Sequence, residues 1–358
     1  MLGHVDPQAL KMMSDLTGLD CRTLPFNDKK VLSLFSHDDA LGLMHKYMEP
    51  DNGALGLPEF GTNFVRQMLR ETKPSSFSDL LIISGLSHGT DVWTNNAQEI
   101  IKDGKTDLRG VIGCRDDIMS YLISKGIPGH ESFVIMEAVR KGKRLKPEWE
   151  DMMKEAGVPD YYIDSCNKIK YLFPKGHACA YVMMALRVGY YKVYHPLAFY
   201  ATFFTLRCDQ YDITALIKGI DGIHDKINEY AERRKSNNPE LALSNKEEEI
   251  EKGLFVALEM AERGYKFDNI DIERSDGTRF LIDENNKALI PPFKVIDGFG
   301  EKAAEVLIAA RKERPFTSKE DLRNRGKISA AILKQLEAIH CVDDLKDDDS
   351  ISLFDFNF

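Results

Sequence analysis

Several features that would fix a class at once are missing from this sequence. There is no CxxC pair: the six cysteines, Cys21, Cys114, Cys166, Cys179, Cys208 and Cys341, are scattered along the chain. Neither a disulfide framework nor a zinc site is indicated, and a reduced, cytosolic protein with free thiols is the economical reading. No membrane span is present, since the longest apolar stretch, Ala178 to Phe204, is broken by Arg187 and Lys192, whereas a spanning helix needs roughly 20 predominantly apolar residues. That stretch reads as a buried helix, and no membrane partner is expected. The start, Met1-Leu-Gly-His-Val-Asp-Pro7, has neither the basic opening nor the apolar core of a secretory leader. Extended low-complexity tracts are lacking too, which excludes a disordered or fibrous chain. Finally there is no excess of positive charge: 57 acids against 48 bases leave −9. Taken whole, that balance speaks against a polyanion partner, because non-specific nucleic-acid binding is carried by Lys and Arg displacing counterions. Net charge, however, averages over surfaces that can differ.

What remains is a chain of 358 residues, long enough for two or three packed units of ordinary size. Its pattern is mostly helical. Asp6-Pro7 forms a cap with proline at the first helical position, Leu10, Met13 and Leu16 come next at helical spacing, and Gly18 ends the segment. Phe64-Val-Arg-Gln-Met-Leu69 predicts a second amphipathic helix. A cap-and-helix unit runs from Lys73-Pro74 to Leu86 and into a Gly-Leu-Ser-His-Gly turn. Further helices are expected over 117–125, 132–140, 147–156, 212–235 and 246–263. Between 265 and 282 the alternation predicts short strands, Asn269-Ile-Asp-Ile-Glu273 and Thr278-Arg-Phe-Leu-Ile282. Short helices return from Phe293 to His340. The order predicts a mainly α chain with a small β patch, an α+β assembly and not a doubly wound sheet, which would need regular βαβ alternation.

One absence is local. From Ser165 to Cys208, 44 residues hold six bases and no acid, with aromatics throughout. A core helix with snorkelling bases would look like this in part. A positive, aromatic-studded surface also suits a triphosphate or nucleic acid, since bases stack on π faces while Lys and Arg take phosphates. Within it, Lys175-Gly-His-Ala-Cys-Ala-Tyr181 places Lys175, His177 and Tyr181 at a helix start, with His177 and Tyr181 sharing a face at i and i+4. Val111-Ile-Gly-Cys-Arg115-Asp-Asp-Ile-Met119 sets Arg115 ahead of a helical turn, where alone it reads as a surface ion-pair partner. Asp116 and Asp117, adjacent on a helix, diverge and make a poor metal pair.

Gly298-x-Gly300, at the start of a helix, admits three readings. A dinucleotide fingerprint with Gly298, Gly300 and Ala303 would need a preceding strand and a βαβ unit, and the residues beyond it read as helix, an Arg-Pro-Phe turn and helix again. A helix-hairpin-helix uses the glycines to bring backbone close to a phosphate, with helical amides pointing at it. A plain turn with glycines for tight packing is the third. Local charge favours the second: from Lys294 to Lys334 there are ten bases and six acids.

Long collinear strings then identify a likeness. Gly56-Leu-Pro-Glu-Phe-Gly-Thr62, Ile83-Ser-Gly-Leu-Ser-His-Gly-Thr-Asp-Val-Trp93, Val111 to Met119, Tyr162-Ile-Asp-Ser-Cys166 with Lys168-Ile-Lys170, and Phe173-Pro-Lys-Gly-His-Ala-Cys-Ala-Tyr181 resemble the C-terminal part of the PolC-type DNA polymerase III α subunits. These are the C-family replicative polymerases of low-GC Gram-positive bacteria. The resemblance implies a fingers region over 1–207, connecting helices and short strands over 208–282, a helix-hairpin-helix duplex-binding region over 283–345, and an acidic tail over 346–358. It implies that Arg115 contacts the triphosphate of an incoming dNTP, that Lys175, His177 and Tyr181 line its pocket, and that Ser84, Ser87, His88 and Phe173 shape the neighbourhood. Gly298, Gly300, Lys302 and Lys294 would meet primer-template DNA.

The family carries three palm aspartates that hold two metal ions, the last just ahead of a hydrophobic residue and Leu-Gly-His. Here Met1-Leu-Gly-His4 opens the chain, so those aspartates would precede Met1. The expectation is a polymerase fragment that supplies nucleotide and duplex binding, pairs with the rest of the polymerase chain, and does not polymerise alone. It holds no catalytic residue, metal or cofactor itself, although the resemblance implies Mg2+ for the intact polymerase. Ser350-Ile-Ser-Leu-Phe354 resembles the peptide that docks bacterial polymerases on the sliding clamp, with Ser350 where a Gln is usual. Leu353 and Phe354 would fill its apolar pocket, or the tail is an acidic end with incidental apolar residues. A free-standing helix-hairpin-helix DNA-binding protein and a nucleotide-cofactor enzyme on Gly298-x-Gly300 are the competing readings.

Overall fold

The computed structural model describes residues 5–236 and 238–348. Its helices are, in chain order, α1 (Val5–Thr17), α2 (Lys29–Ser33), α3 (Asn63–Thr72), α4 (Phe77–His88), α5 (Gln98–Lys102), α6 (Arg115–Ser124) and α7 (Gly129–Arg140). Then come α8 (Pro147–Glu155), α9 (Asp160–Lys168), α10 (Lys175–Tyr194), α11 (Pro196–Leu206), α12 (Ile213–Ile217), α13 (Gly219–Lys235) and α14 (Asn245–Glu262). Strands β1 (Lys266–Phe267), β2 (Leu281–Asp283) and β3 (Ala288–Ile290) precede α15 (Glu301–Glu313), α16 (Lys319–Gly326) and α17 (Ala330–Ala338). The chain is mainly α with a small β patch, as the pattern predicts. No helix among the described residues is long and apolar enough to cross a membrane.

Two compact units are present. The α2–α10 unit consists of Asp20–Leu41 and Pro50–Tyr194; the hairpin unit takes the described residues up to Leu19, Gly42–Glu49, and those described from His195 onward.

Within the α2–α10 unit, local signals explain where elements begin. Ser76 and Asp79 form a reciprocal capping box that starts α4, satisfying amides that have no partner inside the helix. Asp79 also takes Arg109 Nε at 2.9 Å. Asp117 accepts from the Gly113 and Cys114 amides and so starts α6, while Pro147 opens α8. The apolar face of α10 (Ala178, Val182, Ala185, Leu186, Tyr191) is buried, each large side chain contributing about 1.5–3 kcal/mol by leaving water. Lys192 on that helix is fully buried and donates from Nζ to Gly53 O at 2.8 Å and Leu55 O at 2.6 Å. Contrary to the surface role its charge suggests, it pins the 53–55 loop from inside.

The Gly85-to-Gly89 turn is not a turn: α4 continues through His88 and ends at Gly89. Gly85 is an approach point. A Cβ there would lie 2.4 Å from Gly113 O and 2.6 Å from Cys114 Sγ, so α4 and the 111–114 strand of loop touch backbone to backbone.

In the hairpin unit, α1 packs on α11 and ends where Gly18, at φ 73°, donates its amide to Ser14 O. The expected helix over 212–235 is split into α12 and α13 by Gly219 at φ 73°, a conformation that glycine adopts without strain. The sheet has the order β1-β3-β2, with β1 parallel and β2 antiparallel to β3, and Leu281 opposite Ile290. Phe204, Phe267 and Phe280 meet beside it, with Phe204 edge-on to Phe267 at 5.0 Å. Asn269–Glu273 is not a strand, because Asp271 folds back to accept the Glu273 and Arg274 amides, a side-chain turn that competes with a sheet ladder. Segment Gly42–Glu49 is held here by buried Glu262, whose carboxylate accepts the Lys46, Tyr47 and Met48 amides. Tyr47 stacks on His224 with centroids 3.7 Å apart.

Candidate functional site

Four aromatic and histidine rings singled out from sequence converge in the α2–α10 unit. His88, at the end of α4, lies near-parallel to Phe173 (4.7 Å between centroids, 21°) and to Tyr181 of α10 (5.2 Å, 14°). Phe173 and Tyr181 are near-parallel to each other at 5.8 Å and 12°. His177, exposed on the first turn of α10, meets Phe173 edge-on at 6.0 Å. Ser84 is placed differently: its side chain is buried, its Oγ has no hydrogen-bond partner among the described residues, and its carbonyl accepts from His88 Nδ1 at 2.7 Å. Ser87 Oγ, 3.0 Å from Ser84 O, lies on the same turn.

The charged residues are brought to this cluster by backbone. The Arg115 amide donates to Phe173 O at 3.3 Å, tying the start of α6 to the segment that leads into α10. Asp116 Oδ2 accepts the Lys175 amide at 3.0 Å, and Asp117 Oδ1 accepts Lys175 Nζ at 3.0 Å. That bond to Asp117 raises the Lys175 pKa, so its ammonium stays charged. The Arg115 guanidinium, partly exposed, approaches Asp116 at 3.8 Å. Beside them a recess of about 340 Å³ is lined by Arg109, Cys114, Asp117, Tyr121, Tyr162 and Lys175. Burial pushes the Cys114 thiol up to about 12, far from a reactive thiolate. The arrangement sets near-parallel π faces beside cations at two helix starts, groups that can stack a flat ring and pair with an anion.

Asp116 and Asp117 do not fit a metal. Each is engaged by Lys175, Asp117 additionally caps α6, and no group of three or more His, Cys, Asp and Glu among the described residues could hold one.

A second cluster lies in the hairpin unit. Gly298, at φ 78°, and Gly300 lead into α15, whose N-terminus has no side-chain cap. Lys302, on its first turn, is exposed. A Cβ at either glycine would meet nothing within 4 Å, so the space beside both glycines is open. Lys294 lines the adjoining recess of about 320 Å³ with Gly298 and Gly300, but its Nζ turns inward to Thr205 O at 2.9 Å and lies over the Tyr211 ring. Burial lowers its pKa. Before Gly298 stands a 3₁₀ turn, Phe293–Val295, where a dinucleotide fold needs a strand. Leu353 and Phe354 lie outside the described residues.

Sequence reasoning missed Glu59, whose Oε2 is 3.0 Å from His88 Nε2. It sits inside the Gly56–Thr62 string that carries the family likeness, and only the fold brings it to a residue 29 positions away.

The family model for the bacterial DNA polymerase III alpha subunit finger domain matches residues 6–157, and that for a helix-hairpin-helix motif matches residues 264–350. The chain is 50% identical over 354 residues to the PolC-type DNA polymerase III of Halalkalibacterium halodurans, covering 99% of this chain and 24% of that protein. The corresponding proteins of Oceanobacillus iheyensis and Bacillus subtilis are 49% and 50% identical over the same share. The chain thus spans about a quarter of the length of the curated relatives it matches. With likeness running along 99% of its length and through both the finger and the hairpin regions, the chain corresponds to a segment of the PolC-type DNA polymerase III proteins.

Proposed function

We propose that this chain works within a bacterial replicative DNA polymerase, receiving the incoming dNTP on the α2–α10 unit and holding primer-template duplex through the start of α15. The observation that carries the first role is the convergence of His88, Phe173 and Tyr181 as near-parallel rings beside Arg115 and Lys175. Rings of this kind stack a base, and cations fixed on helix starts take the phosphates. Arg115, Lys175 and His177 meet the triphosphate; Tyr181 and Phe173 bound the base; His88 and Ser84 set the position of the platform.

For duplex, Gly298 and Gly300 let backbone amides reach a phosphate and Lys302 adds its charge. Lys294 supports the turn from within. All these roles are binding roles, so we expect no template-directed incorporation by the purified chain. The rest of the polymerase supplies the metal-holding carboxylates, Mg2+ and the bond-forming step. Leu353 and Phe354 dock the sliding clamp, which a titration of a 345–358 peptide against the clamp tests.

Equilibrium titration with each dNTP decides the nucleotide role: Arg115→Ala and His177→Ala each weaken binding at least about tenfold, the loss of one charge-assisted contact. Unchanged affinity in both refutes it. The exposed cradle at Gly298–Lys302 favours a second reading, a free-standing helix-hairpin-helix DNA-binding role without nucleotide. That reading wins if salt-dependent duplex binding falls with Lys302→Glu while no dNTP binds the parent chain.

A further inference from the structure

Glu59 has a backbone conformation that suits glycine. Its φ is 62°, the left-handed region in which a side chain crowds the next carbonyl. Glycine is relaxed there and occurs nearby, Gly56 at φ 74° among them. What glycine would remove is a carboxylate, and that carboxylate has a destination: Oε2 lies 3.0 Å from His88 Nε2.

On the other side of the same ring, His88 Nδ1 is 2.7 Å from the Ser84 carbonyl oxygen. Carbonyl and carboxylate oxygens only accept, so a ring with one on each nitrogen is satisfied fully when both nitrogens carry protons. Burial works against that charge, but the bonds to Glu59 and to the Ser84 carbonyl outweigh it and the His88 pKa is raised. The groups facing the ring are Glu59 from the 56–61 loop, Ser84 O and Ser87 Oγ from α4, Phe173 from the segment before α10, and Tyr181 from α10. Of these, Glu59 alone carries a carboxyl group.

Resting on the nucleotide reading above, we propose that Glu59 is a positioning residue for the dNTP site. It fixes His88 as a doubly protonated ring, flat against Phe173 and Tyr181, so that the aromatic platform is backed by a held cation. A cation against π faces orders those rings, and a base then meets a platform already set and not one assembled on binding. The backbone strain at Glu59 is retained because the loop must deliver this side chain to this ring.

The test uses the full chain with Glu59→Gln and Glu59→Gly. Histidine ring NMR, with His88 assigned by its loss in His88→Gln, gives the titration of that ring, and dGTP and dATP titrations give affinity. Both variants should lower the His88 pKa by about one unit or more and weaken dNTP binding about tenfold. Glu59→Gly, freed of the strained backbone, should melt above Glu59→Gln. An unchanged His88 titration in Glu59→Gln overturns the proposal, as does full dNTP affinity in both variants. A parent chain that binds no dNTP sinks the nucleotide reading and this role with it, whereas tight parent binding indifferent to Glu59 sinks this role alone.

Discussion

Replacing Gly85 by alanine separates a packing glycine from a flexible one by the sign of its effect. In an open helix interior the change stabilises by about 1 kcal/mol, since alanine loses less chain entropy. Here the added Cβ would stand 2.4 Å from Gly113 O and 2.7 Å from Gly113 C, where carbon contacts normally begin near ~3.5 Å. Neither atom belongs to a flexible side chain, so α4 and the 111–114 loop must separate by roughly 1 Å, and forced overpacking of this kind costs about 1–3 kcal/mol. After the helix gain, a net loss of up to about 2 kcal/mol is expected in urea unfolding followed by circular dichroism. The displaced loop carries Arg115, and with it the Asp116 and Asp117 contacts to Lys175. A shift of roughly 1 Å there should weaken dNTP binding tenfold or more, as misplacement on that scale does elsewhere. If Gly85→Ala is as stable as the parent or more so, with dNTP affinity intact, the close approach does not hold the site and the reasoning fails.

Two further outcomes test the frame around the site. Lys192→Met should lose about 2–4 kcal/mol in the same unfolding measurement, because the Gly53 and Leu55 carbonyls are left buried without their donor; a variant as stable as the parent would show that Nζ does not hold the loop. Asp79 is 4% exposed, and although burial pushes its pKa up, Arg109 and the Ser75 and Ser76 amides overcome this and bring it from 3.8 to about 2. A depressed carboxyl contributes above its unfolded pKa and loses that contribution as pH falls. About 2 kcal/mol should therefore be present at pH 5 and drain away between about pH 4 and 2. Asp79→Asn should flatten that window, and an unaltered acid limb would refute the assignment.

Local chemistry made much of this fold readable. Proline at Pro147 and the terminating Gly18 each act within one turn, and each element stands where they put it. Misreadings arose where a residue type has two uses. Gly85 and Gly89 look like a turn, yet Gly85 is a glycine chosen for contact, which no neighbour in sequence reveals. Isoleucines at 270 and 272 alternate like a strand, while Asp271 between them prefers its own backbone. Lys192 counts as one of six bases in an acid-free segment, and nothing local says it points inward. Among the candidate site residues, Arg115, Lys175, His177 and Tyr181 were visible because they sit in compact strings. The Glu59 contact with His88 was not, because it depends on a left-handed backbone and a ring reached only through the tertiary fold.

Neither unit is one continuous piece of chain. The polypeptide passes from one to the other after Leu19, Leu41, Glu49 and Tyr194. Synthesis therefore delivers α1 long before α11, the helix it packs on, and all of the α2–α10 unit emerges in between. During that interval the buried face of α1 (Ala9, Leu10, Met13) has none of its final partners from α11, and the 42–49 segment waits for Glu262. Closing contacts across such separations is slow and leaves apolar surface open meanwhile. The α2–α10 unit can consolidate first on the ribosome, while the hairpin unit must gather two earlier pieces of chain after α14 has been made.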